Sequence, residues 1–300
     1  MTLPFNPYYE AASIAARHVQ KDGEVFTPIG NLVLGRRSIP TAPLYMDYRP
    51  CICLVLQGTK SVKLGDETIA YGVGDCLLTS IELPVTSRVT AASPDMPHLC
   101  FALAIDPDRL SALLERVEVP RPGSDTDAMR GIVSNVAAPE LLDAATRLLR
   151  LLDRPSDIAA MAPLIEEEIL YRVLCGPDGA RLLHIATSES RSNRIARAVA
   201  WLRANFHRTL RIEDLADHVG MSPSSLHHHF KSVTAMTPVQ FQKKLRLHEA
   251  RRLMLLEGLD VGSAGHRVGY QSPSQFSREY SRLYGVSPLR DVDAILAAAE

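Results

Sequence analysis

Two stretches fifty residues apart concentrate the polar chemistry of this 300-residue chain: Gly220-Met-Ser-Pro-Ser-Ser-Leu-His-His-His-Phe230 and Gly269-Tyr-Gln-Ser-Pro-Ser-Gln-Phe-Ser-Arg-Glu-Tyr280. Three consecutive histidines first suggest a metal centre. Neighbours on a helix splay by about 100°, however, so the rings of His227, His228 and His229 cannot converge on one ion. The residue types suit a different task, recognition of a phosphate-walled groove. Serine hydroxyls and imidazoles bond phosphate oxygens, and the planar fork of Arg278 can take guanine O6 and N7 together.

Such contacts need a rigid frame, and the pattern around them supplies one. Ser222 and Ser272, Pro223 and Pro273, Leu226 and Phe276, Phe230 and Tyr280, and Pro238 and Pro288 each stand 50 residues apart, an internal duplication. In the first copy Ile212, Leu215, Ala216 and Val219 recur at helical spacing, and Gly220 supplies the left-handed residue that ends the helix. Ser222 caps the next helix and Pro223 takes its first position, where a missing N–H costs nothing. Leu226 and Phe230 then face inward and turn the polar residues outward. Helix, tight turn and second helix is the arrangement that places a recognition helix in the major groove.

The outward set in the first copy is Ser222, Ser224, Ser225, His227, His228 and Lys231. In the second it is Ser272, Ser274, Ser277, Arg278 and Arg282. Between the copies, Pro238 to Leu256 reads as a helix with two opposed apolar stripes. One holds Val239, Leu247, Ala250 and Met254, the other Phe241, Leu245 and Leu256. A helix buried on two sides is a stiff spacer, able to hold both recognition helices for successive grooves about 34 Å apart. Gly262, Gly265 and His266 fall in the first helix of the second copy. At about 1 kcal/mol for each interior glycine, that copy is expected to be the looser.

Charge separates along the same line. Residues 1–190 hold 17 Lys and Arg against 24 Asp and Glu, a formal −7, whereas residues 191–290 hold 16 against 7, a formal +9. The net −1 of the chain therefore joins an acidic half to a basic half suited to a polyanion. No run reaches the roughly 18–20 apolar residues of a membrane helix, and Met1–Glu10 lacks a signal pattern. Five cysteines without a CxxC pair make a disulfide framework or structural zinc site unexpected, so a reducing cytoplasm is the expected compartment.

The acidic half changes period. From about 25 to 105 it reads as short antiparallel strands: Cys51–Gln57, a turn at Gly58, Ser61–Leu64, a hairpin signal at Gly65-Asp66, Thr68–Tyr71, and Cys76–Ser80. A small barrel or sandwich follows. Leu141, Leu142, Ala145, Leu148, Leu149 and Leu152 mark an amphipathic helix, Ile158–Leu174 a second, and Gly176-Pro177-Asp178-Gly179 a break.

With these motifs in place, residues 193–290 resemble the DNA-binding domain of the AraC/XylS family of bacterial transcription regulators. The resemblance rests on Leu215-Ala216, Gly220-x-Ser222, Leu226, Phe230, Thr237-Pro238, Arg246-Leu247, Ala250, Gly269-Tyr270, Phe276 and Ser287-Pro288. Upstream, Gly58-Thr59-Lys60, Leu64-Gly65, Tyr71, Leu83-Pro84-Val85 and Ala92-Ser93-Pro94 are similar to the N-terminal domain of one branch of that family. The resemblance implies an α+β chain of two domains. The first is a cupin-like effector barrel with a helical dimerisation element, over 1–175, with the barrel at about 25–105 and the helices at about 132–175. A linker at 176–192, the double helix-turn-helix domain at 193–290 and a tail at 291–300 complete it. The implied partners are double-stranded DNA, a small-molecule effector, a second copy of the chain and RNA polymerase, and no cofactor is implied.

Two rival classes define what else the barrel could be. A metal-dependent cupin enzyme needs clustered His and carboxylate ligands, and residues 25–105 contain one histidine, His98. A redox or electrophile sensor would use cysteines, and Cys51 and Cys53, two apart on one strand, share a face. Tyr48, Cys51, Cys53 and Cys76 are the candidates to line the effector pocket.

Overall fold

Strand β4 (Cys51–Gln57) has seven residues and almost no solvent on either face, the mark of a strand covered on both sides. In the computed structural model, which describes residues 7–117, 130–186 and 191–299, the cause is plain. Ile52, Leu54 and Leu56 point into a core shared with helices, while Cys51, Cys53 and Val55 alternate toward a second sheet. The chain divides into two compact units, Met1–Arg194 with Ser232–Ala235, and Ile195–Lys231 with Met236–Glu300.

In the first unit β1 (Gly23–Phe26), β2 (Leu32–Arg37), β7 (Asp75–Thr79), β9 (His98–Ala104) and β10 (Ile132–Val136) join β4 in a six-stranded antiparallel sheet ordered β1-β2-β9-β4-β7-β10. β3 (Leu44–Tyr48), β5 (Thr59–Leu64), β6 (Glu67–Gly72) and β8 (Leu83–Ala91) form a four-stranded sheet ordered β3-β8-β5-β6. Both Gly58 and Gly65 take positive φ, +78° and +61°, at the turns the sequence marks. Helices α1 (Pro7–His18), α2 (Pro107–Leu114), α3 (Pro139–Arg150), α4 (Ile158–Leu174) and α5 (Gly179–Ala186) contribute to the core on the six-stranded side.

Three expected boundaries move, and one helix face has a different use. The stretch opening at 132 is strand β10, which pairs with β7 from Ile132↔Thr79 to Val136↔Asp75, so the barrel draws a strand from well beyond 105. Residues 176–192 are not a bare linker. They contain α5, whose Leu182 is fully buried in the first unit's core, and Asp178 there is held by Asn135 Nδ2 at 2.9 and 3.0 Å. The residues from 291 onward are not a tail either, since α12 (Pro288–Ala299) runs through them. Finally, the Leu141–Leu152 stripe of α3 and the turn after it is used inside the unit's own core, so it is not available as a dimer face.

The second unit is helical: α6 (Arg191–Asn205), α7 (Ile212–Val219), α8 (Pro223–Thr234), α9 (Pro238–Leu256), α10 (Val261–Arg267), α11 (Pro273–Tyr284) and α12. Helix α9 starts with a reciprocal capping box, in which Gln240 N–H donates to Thr237 Oγ1 at 3.2 Å and Thr237 N–H to Gln240 Oε1 at 2.9 Å. Its two faces are both buried. Phe241 meets Phe230 edge-on at 5.4 Å, while Leu247, Ala250, Leu253 and Met254 join Ala264, Val268, Phe276 and Tyr280. The ends of the expected stripes differ. Val239 and Leu256 are exposed, on the turns whose buried positions are Pro238, Phe241, Leu253 and Met254.

Candidate nucleic-acid interface and ligand cleft

The two helix-turn-helix copies are built by the same local devices. Gly220 takes φ +67° and lets Met221 N–H reach Ala216 O at 2.9 Å; Gly269 takes φ +95° and lets Tyr270 N–H reach Gly265 O at 3.0 Å. The next helix is then capped by serine: Ser222 Oγ accepts from Ser225 N–H at 3.3 Å and Ser272 Oγ from Gln275 N–H at 3.3 Å. The turns differ by one residue, with Met221 alone between glycine and cap in the first copy, and Tyr270 and Gln271 in the second.

With Leu226 and Phe230 buried on α8, Ser224, His227, His228 and Lys231 are exposed and Ser225 partly so. With Phe276 and Tyr280 buried on α11, Ser274, Arg278 and Arg282 are exposed and Ser277 partly so. Ser222 is exposed and Ser272 partly exposed, each with its oxygen engaged in the cap. All eleven residues expected to meet DNA therefore lie on or at the start of two equivalent helices. Glu279, the acid on α11, is restrained. It accepts from Lys243 Nζ at 2.9 Å, Tyr270 Oη at 2.7 Å and Gln275 Nε2 at 3.3 Å. Burial alone would raise its pKa, but these donors outweigh it and hold the carboxyl below its usual range.

Two polar networks stiffen this frame, and the sequence pattern did not point to either. Arg246 on α9 donates to Phe206 O at 2.6 Å, Arg208 O at 2.8 Å and Gly269 O at 3.1 Å, while Gln242 reaches the oxygens of Phe206 and Arg208 at 3.0 and 2.7 Å. The carbonyls after α6 and the turn of the second copy thus share one guanidinium. In the second network Asp291 accepts from Arg251 at 2.7 and 3.1 Å and from Tyr280 Oη at 2.6 Å, tying α12 to α9 and α11. Burial pulls the Asp291 carboxyl upward, but Arg251 and Tyr280 hold it low.

Comparison with known proteins agrees with this anatomy. The family profile described as AraC-type transcriptional regulator N-terminus matches residues 28–181, and a helix-turn-helix domain profile matches residues 215–291. The chain belongs to the AraC-type transcriptional regulators. Among curated relatives, this family member is 28% identical over 144 residues to the HTH-type transcriptional regulator ArgR of Pseudomonas aeruginosa, covering 48% of this chain and 44% of ArgR. It is 30% identical over 104 residues to the HTH-type transcriptional activator RhaS of Escherichia coli, covering 35% of this chain and 37% of RhaS. The matches thus span less than half the length of either relative. The solved structure of unsaturated fatty acid-bound ToxT from Vibrio cholerae shares the fold at a TM-score of 0.53 and 10% identity, over 87% of this chain and 94% of that one.

The AraC-type barrel has a polar interior where its sheets face each other. Tyr48 Oη donates to Ser87 Oγ at 3.0 Å and lies 3.5 Å from Tyr71 Oη; Lys60 Nζ sits 5.5 Å from the Tyr48 ring centroid. Cys51 and Cys53 face this interior, but Cys76 does not. Strand alternation turns it with Leu78 into the helix-side core, where burial pushes its thiol up to about 12. The sulfur that joins the interior instead is Cys100 on β9. Its thiol is lowered, by a hydrogen bond with Cys53 and then by Lys60, whereas burial pushes Cys51 up to about 11. His98, only 2% exposed, lines the same cleft, and burial and then Lys60 lower it to about 4. Lys60, His98 and Cys100 were missed as pocket residues. The inward parity of β5 and β9 was their signal, and it becomes readable only once the register is known.

Proposed function

We propose that this chain is a ligand-responsive transcription regulator, most closely an activator, in which residues 193–290 bind operator DNA through α8 and α11 and the barrel binds a small molecule. One observation carries the reading: two equivalent serine-capped helices, each with its apolar residues buried and its hydroxyls, imidazoles or guanidinium groups facing solvent. On this reading Arg278 reads a base edge. His227 and His228 contact DNA from the first module, and Lys231, Arg282 and the serine-capped helix starts fix the phosphate backbone. The activator sense is supported by the name of RhaS, and ligand response by the fatty acid named with ToxT.

The active species on this reading is a homodimer, and it contacts RNA polymerase. Its dimer face is α4, where Met161, Leu164 and Tyr171 lie on one side of the helix and are 43%, 61% and 38% exposed. The test is equilibrium binding of the full chain to genomic fragments selected by the protein and to shuffled versions of the same fragments. A preference for the selected fragments supports the reading, and equal binding to both overturns it.

A thiol sensor is a second reading, favoured by the Cys53–Cys100 hydrogen bond beside Lys60. It predicts that mild peroxide removes two thiols per chain and changes DNA affinity. Loss of neither would reject it.

A further inference from the structure

The first unit is acidic, yet the cleft at one end of its barrel is basic. Arg36, Arg37, Lys60, Arg88 and His98 line it against a single carboxylate, Glu24. Among the described residues Lys60 and Arg88 make no ion pair, while Arg36 is held by Asp22 at 3.5 Å and Arg37 donates to the Arg36 backbone oxygen at 2.7 Å. Burial alone would lower the Lys60 pKa, but Tyr48 and the thiols of Cys100 and Cys53 outweigh it and keep the side chain an ammonium with no carboxylate partner among the described residues, open to an incoming acid. His98 adds an independent sign. Its Nε2 is buried and has no hydrogen-bond partner, an orphan that folded proteins rarely keep. Ser87, 1% exposed, places a hydroxyl on the same cleft.

Size limits what can enter. The inner space is about 30 Å³, room for one small polar group and not for an aliphatic chain. The rest of a ligand must stay at the mouth, beside the guanidinium group of Arg37.

We propose that this cleft binds a small organic dianion, with one acid group seated between Lys60 and His98 and the second held at the mouth by Arg37, which pairs across the sheet with His98. The inference rests on the reading of the barrel as the ligand-responsive part, and it narrows that ligand to a compact molecule with two acid groups. Tyr48 and Ser87 orient the inner acid, and the guanidinium of Arg37 selects for the outer one.

Thermal unfolding of the full chain tests it with four probes: succinate, 3-phosphoglycerate, acetate and an uncharged pentose. Succinate or 3-phosphoglycerate should raise the melting temperature in a dose-dependent way, acetate less, and the pentose not at all. Which dianion acts separates a dicarboxylate from a phosphorylated acid. Lys60→Met should abolish the response by removing the inner cation. Arg37→Ala should weaken the dianion response about tenfold, and Lys63→Met, exposed on the strand that carries Lys60, should leave it intact.

The proposal is overturned if the pentose alone stabilises the protein, if no dianion does, or if Lys60→Met responds like wild type. Should Lys60→Met melt below wild type, the response of Arg37→Ala decides, and a response there equal to wild type overturns the proposal. Wild-type DNA binding is measured on the same sample. If binding is specific and the dianions fail, only this inference falls; without specific binding, the regulator reading itself falls.

Discussion

The two helix-turn-helix modules began as one sequence, and the places where they still agree differ in kind from the places where they diverge. Capping glycine, capping serine, first-turn proline and two inward apolar positions persist in both. Each is demanded by backbone geometry or burial, and a substitution there costs stability whatever the module binds. The outward faces have separated into imidazoles on α8 and guanidinium groups on α11. The cores have separated too. Leu226 and Phe230 close the first with hydrocarbon alone, whereas Tyr280 in the second carries a hydroxyl that must be paired and finds Asp291 at 2.6 Å.

The expectation that the second module is the looser does not survive this comparison. Gly265, counted against α10 for its helix propensity, is buried against the Phe276 ring, and a Cβ there would lie 3.0 Å from two ring atoms. The missing side chain lets α10 close on α11. In addition, Asp260 caps α10 by accepting from Gly262 and Ser263 N–H at 2.9 and 3.0 Å. Propensity scales register the lost helix preference but not the close approach gained.

The largest predicted asymmetry concerns the two turn glycines. A Cβ at Gly269 would lie 2.2 Å from the backbone oxygen of His207, while one at Gly220 would meet nothing within 4 Å. Gly269→Ala should therefore cost at least about 3 kcal/mol, and Gly220→Ala only the left-handed backbone penalty of about 1–2 kcal/mol. Denaturant unfolding of the two variants checks this, and equal losses would break the comparison. Next in size is Asp291→Ala, which takes two hydrogen bonds from Arg251 and the acceptor from the Tyr280 hydroxyl and should cost about 2–4 kcal/mol. Because the folded-state pKa of Asp291 is depressed, its contribution is complete above the unfolded value near 4 and is lost as pH falls further. Melting curves of wild type and variant should accordingly converge below about pH 4 and separate above it. Smaller still, Arg278→Ala should cost about 1–3 kcal/mol on the matching DNA and relax preference at one base pair. The pair His227→Ala and His228→Ala should cost less, and by a similar amount on every sequence.

Much of this fold was legible because its signals are local. The duplicated turns, the cap at Ser222 and the opposed stripes of α9 follow from spacing alone. Features that depend on distant pairing were not. Strand β10 looks like the opening of a helical region until its pairing with β7 is known, and α5 hides behind the break at Gly176-Pro177. The polar cleft shows the same limit. Cys51 and Cys53 could be placed on one face of β4, but only the two registers of β7 and β9 against β4 reveal that Cys76 turns away and Cys100 turns in. Arg246 was visible as part of a motif, yet its work, gathering carbonyls from two modules, exists only in three dimensions.

The most direct test is equilibrium binding of the full chain, wild type and Arg278→Ala, to a selected site and its single-base variants between 50 and 200 mM salt. The account predicts that log affinity falls linearly with log salt, with a slope of about −0.9 for each phosphate neutralised. It also predicts that Arg278→Ala keeps the wild-type slope while losing discrimination at one position. A flat salt dependence would contradict the basic half as the DNA surface. A variant that binds all sequences equally weakly, with the slope reduced by about one, would make Arg278 a phosphate contact and contradict base reading by the second module.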